Sequence, residues 1–207
     1  MKILLKVVVV LVLLAVGFVV WMGLPKGPSL EEVAHLATPR LATLLPQRVL
    51  LVKAKGDPNV VGKEAFGLLM KTYMQLAGVP KWGPDFKSPR ARWPVGSEVP
   101  MDQWEGHYAM PVPDSIATLG GVQPAEGLTV ELATWEYGEV AEILHVGRWD
   151  AEEPTVELLK AFVRDQGYEI SGQHEEEYLK GPGMIFRGNP EKYLTILRYP
   201  VRKMVEG

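Results

Sequence analysis

Arg48–Gly56 reads RVLLVKAKG and Glu139–Gly147 reads EVAEILHVG. Both are rich in Val, Leu and Ile, and both close on a glycine, as strands entering a turn do. Each is followed by a stretch with helix start and stop signals. After the first, Asp57 can cap a helix, Pro58 suits its first position and Gly78 ends it. Its apolar face is Val61, Ala65, Leu68, Leu69, Thr72 and Leu76. After the second, Asp150 and Glu153 have the spacing of a capping box and Gly167 ends the helix, whose face is Val156, Leu159, Phe162 and Val163. Each half then closes on a strand that runs to proline, His107–Pro113 and Tyr193–Val201.

Three pairs of landmarks share almost one offset. Gly56 and Gly147 are 91 positions apart, Gly78 and Gly167 are 89 apart, and Pro111 and Pro200 are 89 apart. Matches in the same order point to a strand-helix-strand-strand unit made twice, with halves at about 47–114 and 127–203. The expected fold class is α+β, with the two units joined as one antiparallel sheet, both helices on one face and the other face open. On this reading the groove that takes a ligand lies on the open face. Tyr108 and Tyr199 lie on the two closing strands, expected to pair with each other. Duplication within one chain removes the usual reason for such a half to dimerise, so a monomer is expected.

Upstream, Val7–Leu24 is 18 residues without a charge. At about 1.5 Å per residue it would span roughly 27 Å, close to the hydrocarbon thickness of a bilayer. Residues 1–24 are therefore expected to form a single transmembrane helix, with a cleaved secretory signal as the alternative. Lys2 and Lys6 precede the span and only Lys26 lies close after it. The positive-inside bias then places the domain outside the cytoplasm, a cytosolic placement staying open. Residues 25–46, with prolines at 25, 28, 39 and 46, read as a stalk. Leu30, Val33, Ala34 and Ala37 within it have the spacing of one short amphipathic helix, able to lie on the membrane or on the domain.

The 207 residues carry a net charge of -3, a pI near 5.9 and no cysteine. Disulfides, zinc–thiolate sites and thiol nucleophiles are excluded. An acidic balance argues against nucleic acid as the main partner, and the one short basic cluster is Lys87, Arg90 and Arg92. The four histidines, at 35, 107, 145 and 174, show no HxxxH, HxH or His–carboxylate spacing of the metal-binding kind, so no metal is expected. There is no Ser-His-Asp pattern, no GxSxG and no P-loop.

His174–Leu179 reads HEEEYL. On a strand, alternation puts His174, Glu176 and Tyr178 on one face and Glu175, Glu177 and Leu179 on the other. The plain reading is a solvated acidic edge that discourages sheet-to-sheet association. A groove reading gains from the aromatics Trp93, Trp104, Tyr108, Trp135 and Tyr137, each of which is individually as well explained by packing.

Three motifs fall in order: HVGRW at His145–Trp149, the ExYL of Glu176–Leu179, and a terminal strand ending in Pro200-Val201. With LPQRVLLVKAKGD near the start, they resemble the GyrI-like small-molecule-binding domain. This is also called the bacterial transcription activator effector-binding domain and is related to SOUL haem-binding proteins. The resemblance covers roughly Leu45–Val201 and is looser in the first half, where Pro80–Pro100 is unusually rich in Pro, Trp and basic residues. It implies the tandem fold and a groove that binds hydrophobic, often aromatic or cationic compounds. It places the pocket glutamate at Glu176, the tyrosine after it at Tyr178, and the aromatic closing the glycine turn at Trp149. Tyr108 and Trp104 are further candidates for the groove. By analogy with the haem branch His145 is a conceivable haem ligand, but no cofactor is expected.

A carboxylate in a partly apolar groove is costly to desolvate unless a cation or hydrogen-bond donor compensates it, so it selects ligands that bring one. Three functions follow as expectations. The first is a membrane-anchored domain that binds a small hydrophobic, possibly cationic ligand. The second is a hydrolase of reactive small molecules with Glu176 as general base. The third is a tethered interaction module that docks through Trp82, Trp93 and Trp104.

Overall fold

Both quoted stretches are strands, and both are buried because each runs through the middle of a sheet. The computed structural model describes residues 6–7, 10–14, 16–17, 27–83, 85–96, 98–120, 127–182 and 187–204. In chain order the strands are β1 (Arg40–Leu44), β2 (Gln47–Lys55), β3 (Arg90–Val95), β4 (Glu105–Pro111), β5 (Glu131–Trp135), β6 (Gly138–Val146), β7 (Tyr168–Ile170), β8 (His174–Lys180) and β9 (Leu194–Lys203). Helix α1 is Pro58–Gln75 and α2 is Glu153–Asp165. The strands form one antiparallel, curled sheet in the order β1-β6-β9-β8-β3-β4-β2-β5, with β7 pairing β9.

This order is symmetric about the β8–β3 pair. Unit β2-α1-β3-β4 occupies one side and β6-α2-β8-β9 the other. Gly56 and Gly147, which close the first strand of each unit, have φ of +135° and +138°, a left-handed conformation that glycine adopts without a Cβ penalty. Each unit is completed by a strand from outside it: β1 pairs β6, and β5 pairs β2. Residues 40–44, read from sequence as stalk, are therefore part of the sheet. Ahead of them Val33 and Leu36 are buried against Leu144, Leu194 and Ile196. The closing strands do not pair with each other. β4 pairs β2 and β3, while β9 pairs β6, β8 and β7, and the units meet through β3 and β8.

The antiparallel register defines the two faces. Val52, Tyr108, Ala91, Glu176, Leu197 and Ile143 are successive cross-strand partners, so they share one face. Helix α1 covers one end of that row, with Ala65, Leu68, Leu69 and Tyr73 against Leu50, Val52 and Met110. Helix α2 covers the other end, with Val156, Leu159 and Val163 against Ala141, Ile143 and Leu197. Both helices thus lie on one face, and Glu176 stands on that face between their territories. The groove expected on the helix-free face is corrected accordingly. Alternation puts His174, Glu176 and Tyr178 together, as expected, but on the side that carries the helices.

The helix-free face carries a ladder of opposite charges. Arg40, Glu142, Arg198, Glu175 and Arg92 are consecutive partners across five strands. Arg198, 4% exposed, donates to Glu142 from Nε and Nη2 at 3.0 and 2.9 Å, to Glu175 at 2.6 Å and to Glu177 at 3.2 Å. Arg40 donates to the other oxygen of Glu142 and Arg92 to the other oxygen of Glu175. Burial alone would raise the Glu142 carboxyl, but Arg198 and Arg40 more than offset it and hold it below the usual carboxylate range. The Arg92 guanidinium also stacks on Trp135 and Tyr137, 4.1 and 4.7 Å from the ring centres. This is where Trp135 and Tyr137 belong, away from the groove for which they were candidates. Arg90 and Arg92, the basic pair of the sequence, are spent on Glu175, Glu177 and Tyr137.

The membrane anchor expected over Val7–Leu24 is corrected, and with it the single-pass membrane localisation and the extracytoplasmic domain. Among the described residues no helix is long and apolar enough to cross a membrane. Much of that stretch, residues 8–9, 15 and 18–24, lies outside the described residues.

Arg198→Met leaves three glutamates without their shared buried cation. The expected loss is about 3–5 kcal/mol of unfolding free energy, measured by urea denaturation. A loss under about 1 kcal/mol would mean that the ladder is solvated and contributes little.

Candidate functional site

Where α2 begins decides part of the site. Sequence spacing placed its cap at Asp150, but Trp149–Ala151 forms a short 3-10 turn and the helix starts at Glu153, with Pro154 in its first turn. The proline fixes the backbone at that point and needs no amide partner. Asp150 instead pairs with Arg148. Glu152 takes the capping position, but its side chain makes no capping hydrogen bond. Its carboxylate is turned toward the sheet, to His174 and Glu176 on β8.

Glu176 is 6% exposed. The indole N–H of Trp93, on the neighbouring strand β3, donates to its Oε1. Burial first, and then the charge of Glu152, push its carboxyl up to about 7, against the pull of His174, Tyr178 and Trp93. Burial and the adjacent Glu153 push Glu152 up to about 7 as well. Burial depresses His174, which keeps its ring neutral. His174 Nε2 lies 3.6 Å from Glu152 Oε1 and 3.8 Å from Glu176 Oε1, beyond hydrogen-bond length. Glu152 Oε2 and both His174 nitrogens are buried with no hydrogen-bond partner among the described residues.

Aromatic rings surround this group. Tyr199 lies over His174 with ring centres 4.9 Å apart. Tyr178 is held edge-on between Phe66 of α1, at 5.5 Å, and Trp149 ahead of α2, at 5.3 Å. Trp93 touches Trp104 at 5.5 Å and Tyr108 at 5.8 Å. The five sequence candidates therefore fall in two layers. Glu176, Tyr178 and Trp149 form one contact group. Tyr108 and Trp104 stand behind Trp93, Tyr108 with its hydroxyl buried and without a partner among the described residues, and Trp104 with its indole N–H bonded to the Val99 carbonyl.

Sequence reading missed Glu152, whose place depends on how α2 starts, and underweighted Trp93 and His174. Trp93 is not the exposed docking residue of the interaction reading, because its indole is turned onto Glu176; Trp82 is the exposed one, at 81%. The signal for His174 was present: it stands two residues before Glu176 on a strand, hence on the same face. His145, the conceivable haem ligand, has both nitrogens engaged. Nε2 donates to the Arg148 carbonyl at 2.9 Å, and Nδ1 accepts from the Thr155 hydroxyl at 3.0 Å. It ties β6 to α2. Glu152, His174 and Glu176 each offer one ligand atom, all within 4.8 Å of one another, so among the described residues these three side chains could hold an ion. That grouping departs from the expectation of no metal-like cluster.

The fold recurs in known structures. An uncharacterised conserved protein from Listeria innocua is similar over 83% of this chain and 97% of its own, with 24% identity and a TM-score of 0.67. A hydrolase from the same organism is similar over 83% of this chain and 97% of its own, with 22% identity and a TM-score of 0.61. The C-terminal domain of EcmrR is similar over 81% of this chain and 98% of its own, with 14% identity and a TM-score of 0.60. At such identities the likeness is one of fold. No protein-family model matches the chain, and no curated protein matches it.

The two raised carboxyls set a pH dependence whose sign is opposite to that of an ion-paired acid. Their folded-state values, about 7, lie above the unfolded value of 4.5. The folded state therefore holds their protons more tightly, and the stability this contributes is full below about 4.5 and lost as pH rises through about 7. Thermal unfolding of Glu176→Gln against the parent is expected to show the variant gaining on the parent between those values. Parallel curves over that window would place the Glu176 carboxyl in solvent.

Proposed function

We propose that this chain is a small-molecule-binding domain of the GyrI-like kind, taking a hydrophobic ligand with a cationic group at the ring-lined face between α1 and α2. The single observation that carries the reading is the buried Glu176 beside a second carboxylate, with no arginine or lysine among the described residues answering either. Their two neighbours on the same strand, Glu175 and Glu177, are answered by three arginines. Buried carboxylates without a countercharge are expensive. A ligand cation supplies the missing charge, and Tyr178, Trp149, Trp93 and Tyr199 supply stacking and cation–π attraction. Trp104 and Tyr108 hold Trp93 in place from behind.

A second reading has its own support. A general base works best with a pKa near the operating pH, and Glu176 is pushed to about 7. One of the structures of similar fold is described as a hydrolase. In this reading Glu176 activates water against a reactive electrophile stacked on the rings.

Thermal shift and calorimetry with a panel of aromatic cations test the first reading. Binding is expected in the parent and at least about tenfold weaker, about 1.4 kcal/mol, in Glu176→Gln. A panel that moves neither the melting temperature nor the heat, or a variant indistinguishable from the parent, ends the proposal. Turnover of a strained electrophile by the parent and not by Glu176→Gln would favour hydrolysis over binding alone.

A further inference from the structure

We infer that Glu152, His174 and Glu176 together form a three-acceptor cup for a protonated N–H head group, a primary ammonium above all, rather than for a quaternary cation. This rests on the reading that the ligand's cation meets Glu176, and it adds which cations the site accepts.

The three groups come from two elements that meet at one point, β8 and the start of α2. Their facing atoms are 3.6 and 3.8 Å apart and all within 4.8 Å of one another. The two distances from His174 are too long for hydrogen bonds. The group is close enough for one nitrogen to reach all three, because hydrogen bonds of about 2.8–2.9 Å from a common donor atom can span acceptors up to roughly twice that distance apart. A primary ammonium carries three donors and no acceptor. Against it stand two carboxylate oxygens and a neutral imidazole nitrogen. Of the three facing atoms, His174 Nε2 has no partner among the described residues, and behind the facing Oε1 of Glu152 its second oxygen, Oε2, has none either. Trp93 already donates to Glu176 Oε1, so that carboxylate is held in place.

A quaternary ammonium has no N–H, and its alkyl shell keeps the charge away from the oxygens. It would cover these acceptors without bonding them, which leaves buried polar groups unpaired. A site built on hydrogen-bond acceptors rejects a ligand that lacks the matching donors more strongly than a merely apolar site can reject a shape. A divalent ion meets the same three atoms. However, a metal-bound imidazole normally hands its other ring N–H to an acceptor, and His174 Nδ1 has none among the described residues. The walls also suit an organic body: Tyr199 over His174 and the Tyr178–Trp149 pair offer ring surface.

The test is calorimetry on the full chain at pH 8 with 2-naphthylmethylammonium and with its N-trimethylated counterpart, which carry the same ring and the same charge. The primary ammonium is expected to bind at least tenfold tighter. Glu152→Gln is expected to remove most of that preference, while Glu157→Gln, an exposed residue of α2, keeps it. If both probes bind equally and both are lost in Glu176→Gln, the cup is wrong and the binding reading stands. If neither probe binds, both fall. One Zn²⁺ per chain, displacing the primary ammonium and lost in His174→Ala, would assign the three residues to a metal instead.

Discussion

The alternation of one short strand, β8, is the constraint from which the rest of this structure follows. Its four polar residues in a row, His174 to Glu177, are all buried or half-buried, because β8 lies in the middle of a wide sheet. Period-two geometry divides them. Glu175 and Glu177 go to one side, where Arg198, Arg92 and Arg90 converge on them. His174 and Glu176 go to the other side, where rings and a second carboxylate converge instead. One side is charge-balanced; the other holds two carboxyls that no arginine or lysine among the described residues pairs with.

The ladder on the first side also sets the register of the sheet. Arg40, Glu142, Arg198, Glu175 and Arg92 alternate in sign across β1, β6, β9, β8 and β3. A slip of one residue in any of these strands would bury a charge against apolar neighbours and turn its partners outward. Register along β8 and β9 is what carries Glu176 to its place between the helices. Buried ion pairs add little net stability over well-packed apolar residues, so their weight here falls on alignment more than on strength. The symmetric order of strands places β8 and β3 at the centre, with α1 and α2 over the flanks, and so leaves the central strands to face the side chains that precede or flank the helices.

Much of this was legible in the sequence. The paired strand motifs, the helices with their apolar faces, the matching glycines and the face-sharing of His174, Glu176 and Tyr178 are local, periodic features, and local geometry writes them directly into residue order. Asp57 capping α1 with Pro58 behind it is of the same kind. The second cap was misread because Asp150 and Glu153 have the right spacing, while Pro154 moves the start of α2 and frees Glu152. The anchor was read from hydropathy over Val7–Leu24, and no described helix has that length and character.

What the sequence determined by itself is therefore the repeated strand-helix-strand-strand unit and the face that each residue takes along its own strand. Only the tertiary structure decided which face carries the helices, that β1 and β5 cross over to complete the opposite unit, and that Trp93 and Glu152 reach Glu176 from positions 83 and 24 residues away. The reason is physical: side-chain direction along a strand is fixed by backbone period, whereas partners across a sheet are chosen by pairing energies between segments that residue order does not bring together.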